Sequence, residues 1–289
     1  MLLKGCGTAL VTPFKDGKVD YETFAALVRR QVEAGIDFLV PLGTTAETPC
    51  LDDEEKVRLL DITRELCPDR PVVAGAGTNS PAATIRNIRL LEPHGPDAFL
   101  IVTPFYNKPT QQGLYEYFRA VASATDKPIV AYNVPGRTGV NMSAETTVRI
   151  ASIPNVIAVK EASGKLDQIG EVISRRPDGF GVLSGNDDQT LPIMTAGGDG
   201  VISVASNIAP HRMLELVRAI SDGDAEKAES LNRSLEPLFR ACFVESNPIP
   251  VKAGLALLGL CTPEMRIPLT QAVTSTAEAM KKAMEGLGI

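Results

Sequence analysis

The chain has 289 residues, 44% hydrophobic and 22% charged, with a formal net charge of -6. That balance suits a globular protein able to bury a core without metal or disulfide staples, and its scattered basic residues leave no electrostatic footprint for nucleic acid. No run reaches the roughly 18 apolar residues of a membrane helix, and the opening Met-Leu-Leu-Lys-Gly-Cys lacks a secretory apolar stretch, so a cytoplasmic protein with no membrane partner is expected.

Short apolar, β-branched runs recur at 5–12, 38–42, 72–77, 98–103, 129–134, 156–161, 181–185 and 200–204. Each has the length and composition of a buried parallel strand. Amphipathic stretches with helix-start residues lie between them: Asp20 before 21–34, Asp52 before 53–66 and Ser143 before 144–150. Eight strand-helix units fit an α/β fold of the (β/α)8 TIM-barrel type, a catalytic domain over residues 1–223. Residues 224–289 carry only helical patterns, at 225–239, 250–258 and 271–284, and form a C-terminal helical appendage. A doubly wound sheet is the rival topology, but its phosphate-binding Gly-x-Gly-x-x-Gly is incomplete in Gly75-Ala-Gly77-Thr-Asn-Ser80.

Five cysteines show no Cys-x-x-Cys spacing, and His94 and His211 are the only histidines. A zinc cluster and a Ser-His-Asp triad both lack their material, which leaves acid-base chemistry to Lys, Tyr, Thr and carboxylates. In a barrel the active site forms where strands end, and Lys160 closes the sixth run. Period-two alternation puts Val156, Ala158 and Lys160 on one face, opposite Ile157, Val159 and Glu161. Desolvation disfavours an ammonium, so an inward lysine is a nucleophile able to condense with a carbonyl; a rim lysine paired with Glu161 is the alternative.

Tyr132 ends the fifth run in the same relative place, where its phenol is either a proton shuttle or core packing. Gly43-Thr44-Thr45-Ala46-Glu47 offers hydroxyls and backbone N–H groups to a carboxylate, or simply a turn and cap. Arg137, in the loop Asn133-Val-Pro-Gly-Arg-Thr-Gly139, has the planar fork that grips a second carboxylate, or a place in solvent.

Together with Glu245-Ser-Asn-Pro-Ile-Pro-Val-Lys252, these segments resemble the dihydrodipicolinate synthases, within the wider pyruvate-dependent Schiff-base aldolases, over almost the whole chain. The resemblance implies condensation of pyruvate with L-aspartate 4-semialdehyde, in the biosynthesis of diaminopimelate and lysine. It implies a covalent imine on Lys160 in place of any cofactor or metal, and a proton relay of Tyr132, Thr44 and Tyr106, the last delivered by a neighbouring subunit of a homotetramer. Thr45 would bind the pyruvate carboxylate, Arg137 that of the semialdehyde, and Gly185 and Ile202 would line the site with backbone carbonyls.

Two departures from the family pattern stand out. Ala46 replaces a common glycine, which allows a slightly different turn. Where lysine-inhibited members bind lysine, this chain has Asp53, Lys56, Ala83 and Phe105; the cationic Lys56 and apolar Ala83 predict weak or absent inhibition, although Asn79 matches. A sialic acid or deoxy sugar acid lyase would keep Lys160 and Tyr132 but not Arg137. A phosphate-binding isomerase is suggested only by Gly197-Gly-Asp-Gly200, placed before the eighth strand instead of after it, and a non-catalytic binder is the third alternative.

Overall fold

Each of the eight apolar runs forms a strand in the computed structural model, which describes residues 3–289. The strands are β1 (Gly5–Ala9), β2 (Phe38–Val40), β3 (Val73–Gly75), β4 (Ala98–Val102), β5 (Ile129–Asn133), β6 (Val156–Glu161), β7 (Gly181–Ser184) and β8 (Gly200–Ser203). All pair in parallel, in the order β2-β1-β8-β7-β6-β5-β4-β3. A parallel bridge between Leu39 and Val72 joins the two ends, so the sheet closes into a TIM barrel and leaves no open edge.

Helices α1 (Tyr21–Ala34), α2 (Asp53–Leu66), α3 (Pro81–Leu91), α4 (Gln111–Ala122), α5 (Ala144–Ala151), α6 (Leu166–Arg175), α7 (Thr190–Thr195) and α8 (Pro210–Ser221) follow the strands in turn. Their starts are chemical. Asp20 accepts from the Thr23 N–H at 3.0 Å, and Asp52 and Glu55 cap each other's backbone at 2.8 and 3.1 Å. A cap of this kind contributes about 1 kcal/mol. Gly35, at φ 89°, ends α1 in the left-handed conformation that costs glycine nothing.

Alternation divides the apolar residues into two shells. Phe38, Val40, Leu100, Val130, Tyr132, Ala158, Leu183 and Ile202 fill the barrel, while Leu39, Ile101, Ala131, Val159 and Val182 pack outward against the helices. Gly7 faces the Phe38 ring so closely that a Cβ there would lie 2.1 Å from it, and the missing side chain gives that ring its room. The alternation slips once. A register shift beside Ile129 puts Val156 in the outer shell and packs Ile157 against the interior, so Val156 does not share the face of Lys160 as strict alternation predicts.

After α8, α9 (Ala225–Ala241), α10 (Ile249–Leu257) and α11 (Thr274–Glu285) lie where the helical patterns predict them. Leu235, Val251 and Met280 join the same outer shell as the barrel residues. Arg266 ties the last segment to α2 through two 2.6 Å bonds to the Glu55 carboxylate. At the opposite end of the barrel from Lys160, Asp199 in the Gly197–Gly200 run accepts from the Val182 N–H at 2.9 Å, so this run serves as a strand-entry turn.

Candidate active site

Register decides which side chains meet at the mouth of the barrel. Tyr132 pairs with Lys160 and Asn133 with Glu161 on β5 and β6. Tyr132 and Lys160 therefore point one way, and Asn133 and Glu161 the other. Asn133 Nδ2 donates to Glu161 Oε1 at 2.9 Å, and Ser163 Oγ donates to Oε2 at 2.7 Å. With Glu161 occupied on the outer face, the lysine-glutamate rim pair does not form.

Lys160 is 6% exposed, and its Nζ stands 4.4 Å from the centre of the Tyr132 ring. Removal from water pushes its pKa down to about 8; the Asp187 carboxylate opposes that fall and the Arg137 charge reinforces it. Burial also raises the Tyr132 phenol, against the opposing Arg137 charge and Thr44 hydroxyl. A proton donor and a nucleophilic amine thus lie together, both buried, although only Tyr132 of the two lines a cavity.

Thr44, Tyr132 and Arg137 line a cavity of about 450 Å³ that opens beside Phe105 and Thr138. Thr44 and Thr45 belong to the turn Thr44–Ala46 that follows β2. Ala46 is buried within this right-handed turn, where the extra methyl group is accommodated. Arg137 sits in the short helical turn Pro135–Thr138, ended by Gly139 at φ 74°, and its Nη2 donates to the Asn247 carbonyl at 2.9 Å.

Gly185 and Ile202 are buried near the strand ends, and neither lines the cavity. A Cβ on Gly185 would lie 3.0 Å from Lys160 Cε and 2.8 Å from Ala162 Cβ, so the missing side chain leaves space for the lysine stem. Tyr106 is not brought to this group. It is 88% exposed on a loop at φ 73°, and it does not line the cavity.

Two site residues escape the sequence reasoning. Asp187, just after β7, is 1% exposed; its Oδ2 accepts from the Val204 and Ala205 N–H groups at 3.0 and 2.9 Å, while Oδ1 has no partner. An acid placed so soon after a strand is the same signal that singles out Lys160. Asn247 lies in the Glu245–Lys252 segment that carries the family resemblance, but its role does not show in the sequence: its Nδ2 donates to Thr45 Oγ1 at 2.9 Å from 202 residues away. Among the described residues no three His, Cys, Asp or Glu side chains converge on a metal position, and no helix is long and apolar enough to cross a membrane.

The sequence pattern of the dihydrodipicolinate synthetase family matches residues 2–287. The 4-hydroxy-tetrahydrodipicolinate synthase of Thermotoga neapolitana is 48% identical over 294 residues, with both chains covered in full. The crystal structure of dihydrodipicolinate synthase from Thermotoga maritima superposes with a TM-score of 0.98 at 46% identity, covering 100% of this chain and 99% of that one. The chloride-inhibited enzyme of Acinetobacter baumannii, solved with pyruvate, gives 0.96 at 39% identity and covers 99% of each chain.

Proposed function

The chain belongs to the dihydrodipicolinate synthetase family, and from that premise we propose that it condenses pyruvate with L-aspartate 4-semialdehyde to form 4-hydroxy-tetrahydrodipicolinate. The observation that carries the proposal is the desolvated Lys160 beneath the Tyr132 ring, at the mouth of a closed barrel.

The neutral Lys160 amine attacks the ketone carbon of pyruvate, water leaves, and a protonated imine remains. Loss of a methyl proton gives an enamine, whose carbon attacks the semialdehyde carbonyl; the new alkoxide takes up a proton through Tyr132 and Thr44. The substrate's own amine then attacks the imine carbon, closes the ring and releases Lys160, so one water leaves per turnover. Thr45 holds the pyruvate carboxylate and Arg137 that of the semialdehyde, while Gly185 and Ile202, buried near the strand ends and outside the cavity lining, would each offer a backbone carbonyl to the imine-bound substrate. Proximity of this kind is worth up to roughly 7–11 kcal/mol in well-aligned cases.

The imine is the electron sink, so the proposal names no metal or organic cofactor. Tyr106, directed away from its own cavity, completes the relay of a neighbouring copy in a homotetramer of the cytoplasm serving diaminopimelate and lysine biosynthesis. Borohydride reduction in the presence of pyruvate tests the first step. A stable adduct is expected on the peptide containing Lys160, absent in Lys160→Ala; no adduct, or no turnover of the semialdehyde, would refute the proposal.

A further inference from the structure

The turn that carries Thr44 and Thr45 is bracketed by two non-glycine residues in the left-handed region, Leu42 at φ 60° and Glu47 at φ 55°. Such residues are strained and persist only where their surroundings hold them. The holding group at Glu47 is its carboxylate. Oε1 accepts from Lys252 Nζ at 2.8 Å, and Oε2 accepts from the Arg266 N–H at 3.0 Å. Both side chains of the Glu47–Lys252 pair are 0% exposed, and the Lys252 ammonium stands 4.2 Å from the centre of the Phe14 ring.

A buried ion pair is a poor stabiliser, because the desolvation of two charges offsets most of their attraction; replacing both with uncharged groups is often neutral. What it supplies is one geometry. Lys252 lies on α10, in the segment that also holds Asn247 against the Thr45 hydroxyl and the Arg137 guanidinium. The C-terminal segment therefore reaches the substrate-binding turn from 205 residues away.

We propose that Glu47 and Lys252 are positioning residues, a charge clamp by which the C-terminal segment fixes the Gly43–Glu47 turn with Thr44 and Thr45 in register with Tyr132. The role rests on the proposed function, since it concerns the pyruvate subsite of that reaction.

The test uses the full chain as wild type, Glu47→Gln, Lys252→Met and the double variant Glu47→Gln/Lys252→Met. The rate of borohydride trapping is followed against pyruvate concentration and pH. The double variant leaves no unpaired buried charge and is expected to fold with a melting temperature near that of wild type. Its half-saturating pyruvate concentration is expected to rise by about tenfold or more through misplaced Thr45, while the pH midpoint, which belongs to Lys160, stays put. A folded double variant within about twofold of wild type overturns the clamp. So does a double variant that cannot fold, which would make the pair a stability element. If the single variants fail to fold, the double variant decides. Absence of any wild-type adduct would remove the proposed function itself, and the clamp with it.

Discussion

Lys160 and Tyr132 are register partners on adjacent strands, and the lysine Nζ lies 4.4 Å from the centre of the tyrosine ring. The ring face attracts the ammonium and holds the long side chain in place. The surrounding apolar wall weakens that same charge, so the amine is both fixed and easily deprotonated.

Imine formation needs the neutral amine. With a pKa of about 8, roughly a quarter of Lys160 is neutral at pH 7.5, against about one in a thousand for an ordinary lysine. The rate of borohydride trapping with pyruvate should therefore rise with pH and reach half its plateau near 8. A midpoint near 10 would mean that burial does not activate Lys160.

The same depressed pKa predicts that Lys160→Met stabilises the fold. Below about pH 8 the wild-type chain holds a buried ammonium, at a cost of up to about 3 kcal/mol relative to the unfolded chain. The gain in the variant should be full at pH 7 and fade above pH 8, vanishing where an unfolded lysine also loses its proton. Urea unfolding at several pH values measures it.

The Asp187 carboxylate opposes the fall of the Lys160 pKa. Asp187→Asn should move the trapping midpoint to lower pH. It should also lower kcat by about tenfold or more, because the protonated imine loses a preorganised negative neighbour. A profile unmoved in both respects would show that the two groups do not communicate.

Lys56 donates to Asp53 at 3.0 Å and lines the cavity, so an added cationic ligand would meet a positive charge there. L-lysine at millimolar concentration should leave most of the activity intact in steady-state assays. A steep fall would show that Asn79 and its neighbours suffice to bind it.

Much of this site was legible before folding. A lysine and a tyrosine that end apolar runs are anomalies in any strand, and the caps at Asp20, Asp52 and Ser143 announce three of the helices. The register slip beside Ile129 was not legible, since both Val156 and Ile157 suit either shell. Nor was the pairing of Glu47 with Lys252, whose partners are chosen by the closure of the whole chain and not by any local period. Asp187 was within reach, as it obeys the strand-end rule already applied to Lys160.

Leu235, Val251 and Met280 complete the apolar layer around the barrel. During synthesis, the nascent strands must wait for the last part of the chain to leave the ribosome before that layer can close. Loss of the final helices should accordingly expose greasy surface on the side of the barrel they cover, along α7, α8 and the turns that follow β7 and β8.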